Sequence, residues 1–219
     1  MSRKSEGLSD ELHAYLVAHG VSEDDVLRDL VAETEQALSD DADMQIAPEQ
    51  GAFLTLLARL TKARFAVEVG TFTGYSSICL ARGLPEGGRL VCFDSSEEYT
   101  AIARRYWERA GLSDRIELRL GDAADTLPTL ADDPPIDLAF IDADKPGYPR
   151  YYEAVLARLA PDGLIVVDNV FGMGKILEPT NEEVEAVAAF NTAVAKDDRV
   201  DVVMLPVADG VSLITRRDG

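Results

Sequence analysis

The chemistry in this chain gathers where short apolar runs stop. One run ends Ala139-Phe140-Ile141-Asp142-Ala143-Asp144-Lys145, and another ends Ile165-Val166-Val167-Asp168-Asn169. Asp142, Asp168 and Asn169 form a compact all-oxygen set. Hard oxygen ligands with water completing the shell suit Mg²⁺ first, with Mn²⁺ or Ca²⁺ as alternatives. Zinc is disfavoured: the only histidines, His13 and His19, lie far upstream, and neither cysteine has a partner at ligand spacing. With no histidine near these residues, Lys145 is the candidate general base, three positions after Asp142. A nearby divalent cation favours its neutral amine and acidifies a bound hydroxyl. A plainer reading of the same residues is an Asp144–Lys145 surface ion pair and a turn starting at Asp168-Asn169.

A second cluster lies upstream, in Glu68-Val69-Gly70-Thr71-Phe72-Thr73-Gly74-Tyr75-Ser76. A dinucleotide's pyrophosphate needs a bare backbone at the second glycine of G-x-G-x-x-G and close helix packing at the third. Counted from Gly70 those positions hold Phe72 and Tyr75, which crowd a diphosphate. A nucleoside carrying a charged amino-acid tail needs no such clearance, and Ser76 opens a helix where a carboxylate is favoured. Asp94, 24 positions after Gly70, can accept from ribose hydroxyls or cap the next helix. Asp122 is placed to meet an adenine edge, or to serve as an N-cap.

These residues need a scaffold that brings strand ends together. Apolar runs at Phe65–Val69, Arg89–Phe93, Ile116–Leu120, Asp137–Ile141 and Leu164–Val167 alternate with helical stretches near 74–83, 96–110, 123–131 and 148–160. That alternation predicts a doubly wound, Rossmann-like α/β fold with a mostly parallel sheet covered on both faces. Val200–Pro206 and Val211–Arg216, separated by Ala208-Asp209-Gly210, read as an antiparallel C-terminal hairpin with a tight turn. Upstream, Glu11–His19 reads as a helix stopped by Gly20. Ser22 reads as the N-cap of a second helix with Val26, Leu30 and Val31 on one face, and a third helix runs from Pro48 to Lys62. The chain is therefore expected to be one domain, with N-terminal helices over 1–62 and the core over 63–219.

Composition narrows the function further. Twenty-one basic against 40 acidic side chains give a formal charge of −19, which repels nucleic acid and anionic lipid. The run Leu164–Val167 is far short of the ~20 apolar residues of a membrane span, and Met1–Gly7 has no apolar signal-peptide region. Cys79 and Cys92 sit in apolar context and build no disulfide framework. A cytoplasmic enzyme with a small-molecule partner is the expectation.

Four segments carry a family resemblance: Met44–Gly51, Glu68–Ser76, Phe140–Glu153 and Gly163–Val170. With them the chain resembles, from about residue 8 onward, the cation-dependent class I O-methyltransferases, which include the catechol and caffeoyl-CoA enzymes. The resemblance implies S-adenosylmethionine as cofactor. It places Glu68, Gly70, Thr71 and Ser76 around its methionine portion, Asp94 on the ribose, Asp122 and Ala123 near adenine, and Met44 beside cofactor and acceptor. It also implies Asp142, Asp168 and Asn169 as metal ligands, Asp142 facing the cofactor as well, Lys145 as catalytic lysine, and a homodimer. Asp144 precedes that lysine where catechol-specific members carry an aromatic residue, as in caffeoyl-CoA-like and general bacterial members. The implied acceptor is a catechol-like or other vicinal-oxygen small molecule, or else a natural-product or thioester-bound hydroxyl. A nucleoside-binding protein without catalysis would not need Asp142, Asp168, Asn169 and Lys145 together. Phe171–Thr180, with Met173 and Lys175, reads as an acceptor wall or an ordinary loop. Tyr148, Tyr151 and Tyr152 read as pocket lining or as core.

Overall fold

The computed structural model describes residues 7–217, so the reading of Met1–Glu6 lies outside it. Strands β1 (Phe65–Val69), β2 (Arg89–Asp94), β3 (Ile116–Leu120), β4 (Ile136–Ile141), β5 (Leu159–Val167), β6 (Val200–Leu205) and β7 (Val211–Arg216) form one sheet in the order β3-β2-β1-β4-β5-β7-β6. The first five are parallel, and β7 runs antiparallel to both β5 and β6. The expected Rossmann-like architecture is therefore present. Chain order reverses between β1 and β4, so the crevice outside their carboxyl ends is where such sheets take ligands.

Strand alternation divides the core in two. Ala66, Leu90, Cys92, Leu138, Phe140 and Val166 face helices α3 (Pro48–Leu60), α4 (Tyr75–Gly83) and α5 (Glu97–Arg109). Their neighbours Val67, Val91, Phe93, Ala139, Ile141 and Ile165 face α7 (Tyr148–Arg158) and α8 (Glu182–Val194). Leu54 on α3 is fully buried, and truncating such a residue to Ala costs about 2–5 kcal/mol. α1 (Asp10–Gly20) buries no residue, whereas α2 (Asp25–Ala37) buries Leu27, Leu30 and Thr34 on one face. Among the described residues no helix is long and apolar enough to cross a membrane.

Several boundaries differ from expectation, each for a local reason. Asp24, not Ser22, caps α2, accepting from the Leu27 amide. The third helix stops at Leu60, and the next residue but one, Lys62, turns to φ 53°. The stretch 123–131 breaks into α6 (Ala123–Thr126) and a 3₁₀ turn, Leu127–Thr129, because Pro128 cannot donate to a continuing α-helix. Pro161 disfavours helix at Ala160. α7 accordingly ends at Arg158, and β5 begins at Leu159, five residues before the expected start, with irregular pairing between Ile136 and Leu138. The hairpin connection is not a tight two-residue turn: Pro206–Gly210 intervene, with Ala208 at φ 46° and Gly210 at φ 83°.

Candidate active site

A cavity of about 970 Å³ lies over the carboxyl ends of β1, β2, β4 and β5. Its floor depends on a close approach. Gly70 sits at φ 90°, and a Cβ there would stand 2.1 Å from the Asp142 carbonyl oxygen. Only glycine lets the β1 loop pass against the end of β4. Gly74, at φ 92°, fits beneath α5, where a Cβ would meet Ala103 at 2.8 Å and Trp107 at 3.0 Å.

One half of the cavity is built by the β1–α4 and β2–α5 loops. Gly70, Thr71, Ser76, Asp94, Asp122, Ala123 and Met44 all line it. Asp94 is largely occupied by backbone: Oδ2 accepts from the Thr71 and Phe72 amides at 2.9 Å each, and Oδ1 accepts from Ser96 at 2.8 Å. A carboxylate has about four acceptor positions, so one remains on Oδ1 for a ligand hydroxyl. Ser96, not Asp94, caps α5. Asp122 lines the cavity and caps α6 through Ala124. Phe72 and Tyr75 both line the cavity. Phe72 stands edge-on to Tyr99, and Tyr75 hydrogen-bonds Glu23.

Glu68 stands near the end of β1, directly before Val69 and the glycine loop. It is fully buried and absent from the cavity wall, and neither carboxylate oxygen has a hydrogen-bond partner. Burial pushes its acid up to about 8, against smaller opposing effects of Ser76, Cys92 and Thr71.

Sequence reasoning named Met44 but missed the bonds that hold its segment. Asp41 accepts from the Tyr99 hydroxyl at 2.8 Å, and Gln45 donates to Thr73 at 3.0 Å, which also pairs with Thr34 of α2. These bonds fasten both ends of the turn Ala42–Met44, so Met44 lies against the cavity although half exposed.

The other half gathers the reactive side chains. Lys145 Nζ donates to Asp142 Oδ1 at 3.1 Å, to Asn169 Oδ1 at 2.6 Å and to the Tyr148 hydroxyl at 2.8 Å. Asp144 is not its partner: it accepts from Gly147 and Tyr151 and caps the turn that starts α7. Asn169 adopts φ 54°, a conformation asparagine tolerates. Asp168 is buried, and its acid is raised to about 7, first by burial and then by repulsion from Asp142. Burial likewise raises the Asp142 acid, opposed by Lys145. Gln50, a buried residue that sequence reasoning left without a role, lines the cavity and works against the rise at Asp168. Among the described residues no three His, Cys, Asp or Glu side chains group at metal-holding spacing; the predicted set holds two carboxylates and one amide.

The loop after Asn169 is fastened to the hairpin. Val170 and Phe171 donate to the backbone of Gly210 and Asp209, and the Met173 amide donates to Asp209 Oδ2 at 2.8 Å. Met173 and Lys175 reach the cavity, together with Glu183, Val184 and Val187 of α8. Of the three tyrosines, Tyr151 lines the cavity, Tyr148 is buried behind it, and Tyr152 bonds Asp197 away from it.

The family model described as O-methyltransferase matches residues 17–217. A catechol O-methyltransferase of Niastella koreensis is 38% identical, over 78% of this chain and 81% of its own. A probable caffeoyl-CoA O-methyltransferase of Dictyostelium discoideum is 35% identical, over 92% and 90%. Among solved structures, the O-methyltransferase TomG of Streptomyces achromogenes, involved in tomaymycin synthesis and bound to SAM, superposes with TM-score 0.86 at 33% identity, covering 95% of this chain and 96% of its own. The Bacillus cereus O-methyltransferase with SAH gives 0.86 at 33%, covering 94% and 97%.

Proposed function

This chain belongs to the O-methyltransferase family and is an S-adenosylmethionine-dependent enzyme, and from that premise we propose that it methylates one of two neighbouring oxygens on a small molecule with the help of a divalent cation. The observation that carries this reading is that Asp142 and Asn169, just beyond adjacent strands, both accept from Lys145, with Asp168 beside them on the same cavity wall. Two mostly buried carboxylates with one nearby lysine leave excess negative charge, and oxygen donors of this kind fit a hard cation, with Mg²⁺ ahead of Mn²⁺ or Ca²⁺. The cation, when bound, supplies Lewis-acid charge that holds paired oxygens and acidifies a hydroxyl. S-adenosylmethionine, when bound, supplies the sulfonium methyl group.

The remaining work falls to the chain. The loops at Gly70–Phe72 and Asp94–Ser96 cradle the nucleoside, with Asp122 and Ala123 at its far end and Ser76 and Met44 toward the tail. Lys145, as the neutral amine that a bound cation would favour, stands where it could take the hydroxyl proton as the new O–CH₃ bond forms and the S–CH₃ bond breaks, a contribution of about 10²–10⁴-fold. Holding the two reactants in line is worth more, ~7–11 kcal/mol in favourable cases. The cavity wall carries seven Asp and Glu183 against Lys145, Arg150 and Lys175, which favours a small acceptor over a polyanionic thioester. Tyr151, Met173 and Val184 supply its apolar contacts.

We take the described residues as one methyltransferase domain. Buried, unpaired Cys79 and Cys92 support the cytoplasm as its location. Exposed Leu12 and Tyr15 on α1 support pairing with a second copy, which sedimentation checks. The cation is tested by a Mn²⁺ binding isotherm: one site in the wild type, lost in Asp168→Asn, supports the reading, and no saturable binding in the wild type rejects it.

A further inference from the structure

Tyr148 has no place on the cavity wall, yet its hydroxyl sits within the reactive cluster. Its ring is fully buried and stands edge-on to Phe190, with centroids 5.6 Å apart. The hydroxyl donates to the Asp168 backbone carbonyl at 3.1 Å and lies 2.8 Å from Lys145 Nζ. A phenol has one proton. With that proton directed at Asp168, only lone pairs face Lys145, so Tyr148 accepts from the lysine in a direction set by β5 and by the packing on Phe190.

Of the three groups that hold Lys145, Asp142 and Asn169 belong to the oxygen set assigned above to a cation, and Tyr148 does not. We propose that Tyr148 is the positioning residue for Lys145: it keeps the amine in the site when a cation engages Asp142 and Asn169. The inference rests on the cation reading of the preceding subsection. It also explains why a polar atom is kept in the packing behind the wall, where phenylalanine would fill the same volume, since a buried hydroxyl is retained at no loss only where it is hydrogen-bonded. Partners of this kind around reactive groups commonly contribute about 10–100-fold to activity.

The test is a double-mutant cycle of Tyr148→Phe and Lys145→Met in steady-state transfer of a radiolabelled methyl group to 3,4-dihydroxybenzoate, with Mg²⁺ saturating. S-adenosylmethionine and Mn²⁺ isotherms on every variant control for folding. The expected result is a kcat at least tenfold lower in Tyr148→Phe, with acceptor KM and cofactor affinity within about twofold of wild type. In the Lys145→Met background the same substitution should change the rate by less than about twofold, because the residue it acts through is gone. Phe190→Leu, which loosens the ring without removing the hydroxyl, is the second variant; its smaller loss should likewise vanish in Lys145→Met. Near-wild-type turnover in Tyr148→Phe, or losses that multiply in either double variant, would overturn the role of Tyr148 alone. A wild type that binds no Mn²⁺ would instead overturn the cation reading, and with it the division of roles proposed here.

Discussion

Lys145 Nζ donates to the side-chain oxygen of Asn169 over 2.6 Å, joining residues 24 positions apart in the chain. The join exists because β4 and β5 are parallel neighbours in register from Leu138↔Leu164 to Ile141↔Val167, so the residues just beyond each strand emerge side by side. Asn169 makes this contact from a left-handed backbone conformation, φ 54°. Reactive groups are thus set by the rigid sheet and not by the mobility of the loops around them.

Replacing Lys145 by Met should lower kcat by about 10²–10⁴-fold and leave S-adenosylmethionine affinity within about threefold. Isothermal titration and steady-state kinetics on one preparation check both. A variant that keeps more than half the wild-type rate would remove Lys145 from the proton's path.

Glu68 makes stability fall as pH rises. Its folded-state acid lies at about 8 against an ordinary 4.5, so between these values the folded protein holds a proton that the unfolded chain has lost. The stabilisation is complete below the unfolded value and disappears as pH rises through the folded one, on the order of a few kcal/mol in all. Melting temperature should therefore drop from pH 5 to pH 8 in the cofactor-free enzyme, and Glu68→Gln should flatten the slope. An unchanged slope in the variant would assign it to other groups.

The hairpin's hold on the acceptor wall is addressed by Asp209→Ala, which deletes the acceptor for the Met173 amide. Acceptor KM should rise about three- to tenfold, the loss of roughly 1 kcal/mol expected for one hydrogen bond. Cofactor affinity should stay the same. A change confined to the cofactor would contradict this attachment.

The strap over the cofactor half makes the opposite prediction. Gln45→Leu removes the bond to Thr73, and Tyr99→Phe the bond to Asp41. Each should weaken S-adenosylmethionine binding several-fold, by about 1 kcal/mol, while acceptor KM is little changed. Fluorescence titration with S-adenosylhomocysteine reads the effect directly.

What was legible in the sequence was whatever local pattern controls. The buried run Phe65–Val69 and the charged residues directly after Ile141 and Val167 show both the sheet and the oxygen set, because a parallel strand is apolar until it reaches its ligand-binding end. The early start of β5 is hidden by Pro161-Asp162-Gly163, turn-forming residues that here form an irregularity in which β5 advances five residues against two of β4. Asp41 with Tyr99 and Gln45 with Thr73 escaped notice because each pair is joined across 58 and 28 positions and no periodicity marks it. Glu68 enters the site only through the family resemblance, because strand alternation buries it on the face that carries Cys92 and Phe140, where no local pattern marks a ligand contact.

The most direct test of the account is methyl transfer to 3,4-dihydroxybenzoate and caffeate, with Mg²⁺ or with EDTA, beside a matched monophenol. The account predicts methylated diols only, with transfer abolished by EDTA and restored by excess Mg²⁺. Equal methylation of the monophenol, or full activity in EDTA, would contradict it.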